Sequence, residues 1–321
     1  MNKSLRNLLF AGAAVAIPAA INALMASRVG RVEQPLSGDR GYYDWVFGRV
    51  AFYRQGQGQP LLLVHHPHAG GSSWEWRKVF TELAAHFNVY AIDLLGFGLS
   101  EKPDVPYSGR MFGDLVYDFL TDVVGGAAAL GIGSGFGASY LVNAAVRAPE
   151  RLQQLVLVNP TGGMTMSAPG IEGGLSRALH VPVLGASLYN GILTMAALEN
   201  ELRRHIYADP SAVTPDMAHD LYTSAHQLGS RYAAAAYLSG RLSLPMRQAF
   251  SSLTQPVLLI WGREAYYTPV SDAIDLLYRH PEAKLSIIDA CGMIPHDEKA
   301  GEFLALTTKF LRPPKPDIQA A

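Results

Sequence analysis

The sequence is poor in cysteine and in charged residues. Its 321 residues include one cysteine, Cys291, which excludes a disulfide framework and a cysteine-based metal cluster. Charged residues make up 17% of the chain, below the usual share of about 25%. Lysine and arginine number 26 against 27 aspartates and glutamates. Because nucleic-acid binding requires a basic surface, this balance argues against a nucleic-acid partner.

Apolar residues are abundant, and part of the excess lies at the N-terminus. The uncharged run from Leu8 to Ser27 follows Lys3 and Arg6 and is about long enough to span a bilayer as a helix. Three interpretations remain open: a cleaved secretory signal, an uncleaved anchor, or a helix lying in the membrane surface or packed on the protein. We expect a membrane anchor or membrane-surface helix, and therefore a membrane-associated protein whose side of the membrane is undetermined.

The rest of the chain alternates between short apolar strands and helical segments. Continuous apolar runs such as Leu61 to Val64 are typical of strands that are buried on both faces. The alternation predicts an α/β protein with a mostly parallel central sheet flanked by helices. From Thr161 to about Phe250 the pattern is helical throughout, and we interpret it as a cap over the C-terminal edge of the strands, where open sheets place their sites.

These patterns divide the chain into five parts. We predict an N-terminal hydrophobic segment (1–35), the first half of the sheet domain (36–160), a helical cap (161–250), the second half of the sheet domain (251–313) and a tail (314–321). The result is one sheet domain that a cap interrupts and a hydrophobic helix precedes.

Three segments make the chain resemble the α/β-hydrolase fold superfamily in its capped form. They are LLLVHHPHAGGSSWEWRKVF, similar to the oxyanion-loop region, VYAIDLLGFGLSEKP, and the pair PVLLIWGREAYYTP and DACGMIPHDEKAGEFLALTTKFL, similar to the acid and histidine regions. The resemblance covers about residues 42–311. It implies the family's fold and a Ser-His-Asp triad whose serine lies in a G-x-S-x-G turn between a strand and a helix.

The chain departs from that pattern at all three triad positions. In the segment LGIGSGFGA the nucleophile position holds Gly135, which has no side chain. The acid position holds Ala265, and the histidine position in GMIPHDE holds Met293. These replacements at three separate places predict that the ordinary triad mechanism is absent.

Polar side chains near these positions are weaker catalytic candidates. They are Ser134, His68, His296 and Glu264. Ser134 is more typical of a turn serine that bonds to backbone, and His296 of a polar residue at a helix start. Glu264 lies one residue before the acid position and is more typical of a solvated loop charge.

Aromatic and imidazole side chains indicate a ligand pocket. The segment His65-His66-Pro67-His68 could bring at most two imidazoles together in an extended chain, so we predict no metal. The glycines of the segment LGIGSGFGA do not match the fingerprint of a dinucleotide-binding site, and we predict no cofactor. Cap tyrosines favour a hydrophobic small-molecule ligand. The expected ligand contacts are His66, His68, Gly135, Phe136, Tyr266 and Met293.

Two functions compete at this point. The altered triad and the apolar N-terminus favour a membrane-associated, non-catalytic pseudoenzyme that binds a hydrophobic ligand or serves as a subunit or assembly factor of a membrane complex. The alternative is an active hydrolase or lyase on an apolar ester-like substrate, with rearranged groups such as His68 or His296 as base and Glu264 as its partner. The surroundings of Gly135 distinguish the two.

Overall fold

A computed structural model describes residues 3–32, 36–126, 128–161 and 174–311. The predicted tail, 314–321, and residues 162–173 of the predicted cap lie outside the described residues.

The described strands form one sheet. Their bounds are β1 (Asp39–Trp45), β2 (Gly48–Gln55), β3 (Pro60–Val64), β4 (Asn88–Ile92), β5 (Ala129–Ser134), β6 (Leu152–Val158), β7 (Val257–Gly262) and β8 (Lys284–Ile288). Their spatial order is β1-β2-β4-β3-β5-β6-β7-β8. Strand β2 pairs antiparallel with β1 and β4, and the strands from β4 to β8 pair in parallel. The predicted α/β class with a mostly parallel sheet is confirmed.

Helices surround the sheet. Their bounds are α1 (Lys3–Arg28), α2 (Phe80–Ala84), α3 (Gly109–Phe119), α4 (Phe136–Arg147), α5 (Gly174–His180), α6 (Leu184–Ile192), α7 (Met195–Glu201), α8 (Pro215–Ala225), α9 (Ser230–Leu238), α10 (Arg247–Ser251), α11 (Val270–Arg279), α12 (Pro295–Glu298) and α13 (Ala300–Leu311). Short 3₁₀ turns span Ser73–Trp76 and Pro210–Ala212, and π-helical turns span Leu120–Val124 and Leu202–Ile206.

The sheet is buried on both faces, which explains its continuous apolar runs. Successive side chains of a strand point to opposite faces. In β3, Leu62 packs in a core cluster with Phe112 of α3, whereas Leu61 packs in a second cluster with Phe303 of α13. Both faces therefore exclude water, as expected of a parallel sheet between helix layers.

Helices α5 to α10 all lie between β6 and β7 in the sequence. The described part of this segment contains helices and no strand. A third apolar cluster joins Leu198 and Leu221 of this helical segment to Ala69 in the loop after β3. The helices thus pack over the ends of the central strands, where they form one wall of a cavity.

Helix α1 packs on helix α6 through one polar residue. The Asn22 amide donates to Val183 O and to Ser187 Oγ, each at 3.0 Å, and Asn190 Nδ2 donates to Asn22 Oδ1 at 3.0 Å. No helix among the described residues is both long and apolar enough to cross a bilayer. The prediction of a transmembrane helix is therefore wrong, and Asn22, in the middle of the uncharged run, bonds to α6 of the protein itself.

Candidate active site

A strand-to-helix turn at Gly135 forms the centre of the site. Gly135 connects β5 to α4 with φ 53° and ψ −119°, a backbone conformation that favours glycine. Its N–H donates to Val158 O at 3.0 Å, and its carbonyl accepts the Thr161 N–H at 3.2 Å. The fold places a nucleophile at this kind of turn, with the next backbone N–H in the oxyanion hole.

The imidazole of His66 occupies the space beside this turn. A Cβ atom built on Gly135 would lie 2.4 Å from His66 Nδ1, far inside van der Waals contact. The Phe136 N–H donates to the same nitrogen at 3.1 Å. His66 comes from the loop after β3, so a side chain from a neighbouring strand end fills the place that a nucleophile side chain on residue 135 would take.

The histidines of this loop are held in their neutral form. Burial, together with the neighbouring His68 and His65, lowers the pKa of His66 well below its usual value. Burial also lowers the pKa of His68, and lowers that of His65 to about 3. Since Nδ1 of His66 accepts a hydrogen bond from Phe136, the proton of the neutral ring lies on Nε2.

A buried carboxyl group, Glu75, lies behind His66. Its Oε2 accepts the backbone N–H of His66 at 3.2 Å, and the Ser134 hydroxyl bonds to the same carboxyl. Its Oε1 lies 3.8 Å from His296 Nε2 and has no hydrogen-bond partner among the described residues. Burial raises the pKa of Glu75 well above its usual value. Burial therefore favours the un-ionised form of this carboxyl in the wall of the site.

A second carboxyl group, Asp297, is ionised and fully engaged. It forms ion pairs with Arg77 and, at 2.5 Å, with Lys78 Nζ, and it accepts the Tyr207 hydroxyl at 2.7 Å. Burial opposes its ionisation, but Arg77, Lys78 and Tyr207 together hold the pKa of Asp297 below its usual value. The charge of Arg77 is thus balanced inside the wall.

The two other triad positions hold apolar residues in the structure as well. Ala265 is buried in the loop after β7, and Met293 follows β8 with its Sδ accepting the Thr268 hydroxyl at 3.7 Å. Asn159 ties this region together, because its amide donates to Gly292 O and Met293 O and accepts the Gly262 N–H. The amide of Asn159 is fully used by backbone and holds no imidazole.

The weaker candidates do not form a rearranged triad. Glu264 accepts the Cys291 N–H at 2.8 Å, and His296 packs against Trp76 with ring centroids 4.3 Å apart. Neither side chain lines the cavity. Ser134 does line it, but its partner is Glu75 instead of an imidazole. Burial lowers the pKa of His296 to about 3.

The cavity above Gly135 has a volume of about 570 Å³. Five of the six expected ligand contacts line it: His66, His68, Gly135, Phe136 and Met293. Tyr266 does not, because it is largely exposed and packs on His205, while the next residue, Tyr267, lines the cavity. Apolar side chains from the helical segment complete the wall: Leu193, Leu198, Leu202, Met217 and Leu221.

Glu75 is a residue of the site that was not among the candidates from the sequence. The Ser72 side chain does accept the Trp74 N–H and caps this 3₁₀ turn. The carboxyl of Glu75 instead points into the protein, where burial suppresses its charge. An acidic residue between Trp74 and Trp76 was the available signal, since two indoles reduce its access to water.

Comparison with known proteins identifies the family. The alpha/beta hydrolase family matches residues 61–306, most of the sequence, and the chain belongs to this family. The chain is 29% identical over 276 residues to a 2-hydroxymuconate semialdehyde hydrolase of Pseudomonas sp. (strain CF600), covering 82% of this chain and 90% of that protein.

Two solved structures illustrate the similarity in fold. One is a 2-hydroxy-6-oxo-6-phenylhexa-2,4-dienoate hydrolase from a Rhodococcus species, with a TM-score of 0.72 and 19% identity over 87% of this chain and all of that chain. The other is described as a membrane phospholipase A and a bacterial virulence factor, with a TM-score of 0.70 and 22% identity over 96% of both chains.

The expectation of a non-catalytic pseudoenzyme in a membrane complex is wrong. Relatives that this chain matches over most of its length include hydrolases, which favours the alternative of an active hydrolase. The error came from equating loss of the three triad side chains with loss of all reactive groups. The structure shows an imidazole, that of His66, at the position of the missing nucleophile.

Proposed function

We propose that this protein is a hydrolase acting on an apolar substrate with an ester-like carbonyl group, and that His66, beside the position of the missing serine, is the general base that activates water. One observation carries the proposal: the His66 imidazole lies where a side chain on Gly135 would lie and is bonded to the Phe136 N–H. A neutral imidazole can accept a proton from water, and the large apolar cavity above it fits a hydrophobic acyl or alcohol group.

The reaction follows from the hydrogen bond between Phe136 and His66. When the substrate carbonyl oxygen takes over the Phe136 N–H, Nδ1 of His66 becomes free to accept a proton from water. The water oxygen bonds to the carbonyl carbon, and negative charge develops on the carbonyl oxygen beside that N–H. The bond to the leaving alcohol then breaks as His66 returns the proton to the alcohol oxygen.

Steady-state hydrolysis of p-nitrophenyl alkanoates by wild-type protein, His66→Ala and His219→Ala tests this proposal. His219 is an exposed histidine of α8, so His219→Ala controls for loss of an imidazole outside the cavity. We expect kcat/KM to fall about 10²- to 10⁴-fold in His66→Ala and to stay unchanged in His219→Ala. Equal activity in the two variants, or no wild-type turnover across the series, would overturn the proposal.

We also propose that α1 lies on a membrane surface. Ile17, Ile21 and Leu24 are 60%, 52% and 52% exposed, and their spacing places them on one side of the helix. The first 32 residues contain four basic and no acidic residues. Apolar side chains beside basic residues favour binding in the interface of anionic bilayers. The membrane phospholipase A structure, which matches 96% of this chain, agrees with such a location.

Co-sedimentation with vesicles tests the location of α1. We expect the protein to bind vesicles that contain anionic lipid and to lose that binding when Ile17, Ile21 and Leu24 are all replaced by serine. Retained binding of the triple variant, or no binding of the wild type, would show that this face of α1 is not a membrane-binding surface.

A further inference from the structure

The wall of the cavity contains more acidic than basic side chains. Three carboxyl groups line it, those of Glu75, Glu201 and Asp297, against a single cation, Arg77. A carboxylate ligand needs an available cation or several open donors to replace its hydration, because an unpaired charge is expensive to bury. The availability of Arg77 therefore decides which ligands the cavity accepts.

The guanidinium of Arg77 is engaged on two sides. It forms an ion pair with Asp297 and lies over the Trp74 ring, with Cζ 3.5 Å from the ring centroid. Its Nη1 also donates to the Trp74 carbonyl at 3.4 Å. Asp297 is in turn fixed by Lys78 and Tyr207. Recruiting Arg77 to a ligand would leave the buried carboxylate of Asp297 short of its nearest countercharge.

Glu75 provides a hydrogen-bond donor but no countercharge for an anion. Its carboxyl lies in the cavity wall beside the turn at Gly135. Burial favours its un-ionised form, which carries a proton that an uncharged oxygen can accept. The groups facing this carboxyl from the surrounding elements are His66, Ser134, His296, Asp297 and Arg77.

We propose that the cavity selects an uncharged carbonyl compound and excludes the corresponding carboxylate. The inference rests on the proposed hydrolase function and narrows its substrate class. It also separates this chain from the Rhodococcus structure, whose described substrate is a dienoate, an acid. Hydrolysis of a neutral ester releases a carboxylic acid, and its ionised form would find no available countercharge in the wall that admitted the ester.

A matched pair of non-hydrolysable ligands tests the selection by calorimetric titration of the wild-type protein. The pair is 7-phenylheptan-2-one and 6-phenylhexanoate, which differ in a methyl group against an anionic oxygen. At about pH 7.5 we expect the ketone to bind at least about tenfold more tightly. Affinity for the acid should fall about tenfold for each pH unit between about 6 and 8, because only its un-ionised form enters. A carboxylate affinity within about threefold of the ketone's, a pH-independent affinity, or binding of neither ligand overturns the proposal.

Asp297→Asn tests the proposed cause. The substitution keeps the size of the side chain and releases the charge of Arg77, so affinity for 6-phenylhexanoate should rise about tenfold or more while that for the ketone changes little. Asp289→Asn is the control, because it removes a carboxylate from an exposed ion pair with Arg263 outside the cavity. An unchanged carboxylate affinity in Asp297→Asn contradicts the role given to Arg77.

These experiments test the selection by the cavity and the hydrolase activity independently of each other. The ketone and the acid need no chemical step, so their relative affinities report on the cavity alone. Selective ketone binding without ester hydrolysis would leave the selection standing and remove the hydrolase proposal. Ester hydrolysis that depends on His66, together with equal binding of the two ligands, would support the hydrolase proposal and remove the proposed selection.

Discussion

Substitution of Gly135 by alanine gives a quantitative test of the arrangement around His66. The new Cβ would lie 2.4 Å from His66 Nδ1 and 2.8 Å from its Cγ, so the imidazole has to move. Crowding of this kind costs about 1–3 kcal/mol. The positive φ of residue 135 costs a non-glycine residue a further 1–3 kcal/mol or so. We expect Gly135→Ala to lower the free energy of unfolding by about 2–6 kcal/mol.

A double-mutant cycle separates these two contributions. In the His66→Ala background the imidazole is absent, so Gly135→Ala retains the backbone strain and loses the crowding. The coupling energy between the two sites should therefore be about 1–3 kcal/mol. Urea-induced unfolding followed by tryptophan fluorescence measures all four proteins.

Gly133→Ala is the matched control for this cycle. A Cβ on Gly133 would lie 2.7 Å from the backbone of Ala138 and does not meet His66. Its cost should be the same with and without the imidazole. If Gly135→Ala and His66→Ala are additive within about 0.5 kcal/mol, the imidazole does not fill the space beside Gly135.

Three further predictions concern stability. Asn159→Ala removes the amide that joins three backbone segments and should lower the free energy of unfolding by about 2–4 kcal/mol in urea titrations; a loss below about 1 kcal/mol would contradict its role. His65 and His296 stay neutral in the folded protein but gain protons in the unfolded protein below about pH 6.5. Each histidine therefore lowers the free energy of unfolding by roughly 1.4 kcal/mol for each pH unit of acidification. His296→Phe should reduce that slope by one proton, and an unchanged slope would refute the assignment. Asn22→Ala removes the bonds between α1 and α6 and should speed tryptic cleavage at Arg28, whereas equal cleavage rates would show that these bonds do not hold the helix.

The fold could be predicted because it depends on patterns that are local in the sequence. The apolar run from Leu61 to Val64 indicated a strand buried on both faces, and the structure buries all four side chains. The resemblance to the α/β-hydrolase fold likewise implied that Gly135 lies at a turn between a strand and a helix, where the structure has it. Each inference needed only a short stretch of sequence.

The position of the His66 imidazole beside Gly135 could not be predicted in the same way. The two residues come from different strand ends, and the sequence shows neither the gap beside the glycine nor the side chain that enters it. We expected His66 to contact a ligand, but its position directly beside the turn at Gly135 is visible only in the structure. Parallel pairing of β3 with β5 brings these strand ends together. This proximity depends on how the whole sheet is arranged, and neither segment shows it alone.

The N-terminal helix shows where hydropathy alone is insufficient. Length and lack of charge predicted an anchor or a membrane-surface helix, but no helix among the described residues has both the length and the hydropathy of a membrane span. The side chain of Asn22 forms the hydrogen bonds that join α1 to α6. Packing on the protein was one of three interpretations left open by the sequence, and only the partner residues on α6 show where Asn22 bonds.

Chemical rescue of His66→Ala by free imidazole tests the central claim most directly. The substitution opens an imidazole-sized space beside Gly135, which added imidazole can enter. Our account predicts that imidazole restores ester hydrolysis by His66→Ala with saturable dependence on its concentration, and does not rescue His66→Phe, in which the larger ring fills that space. Activity that is unaffected by His66→Ala, or an imidazole effect that is linear and equal in both variants, would contradict the placement of the reactive group.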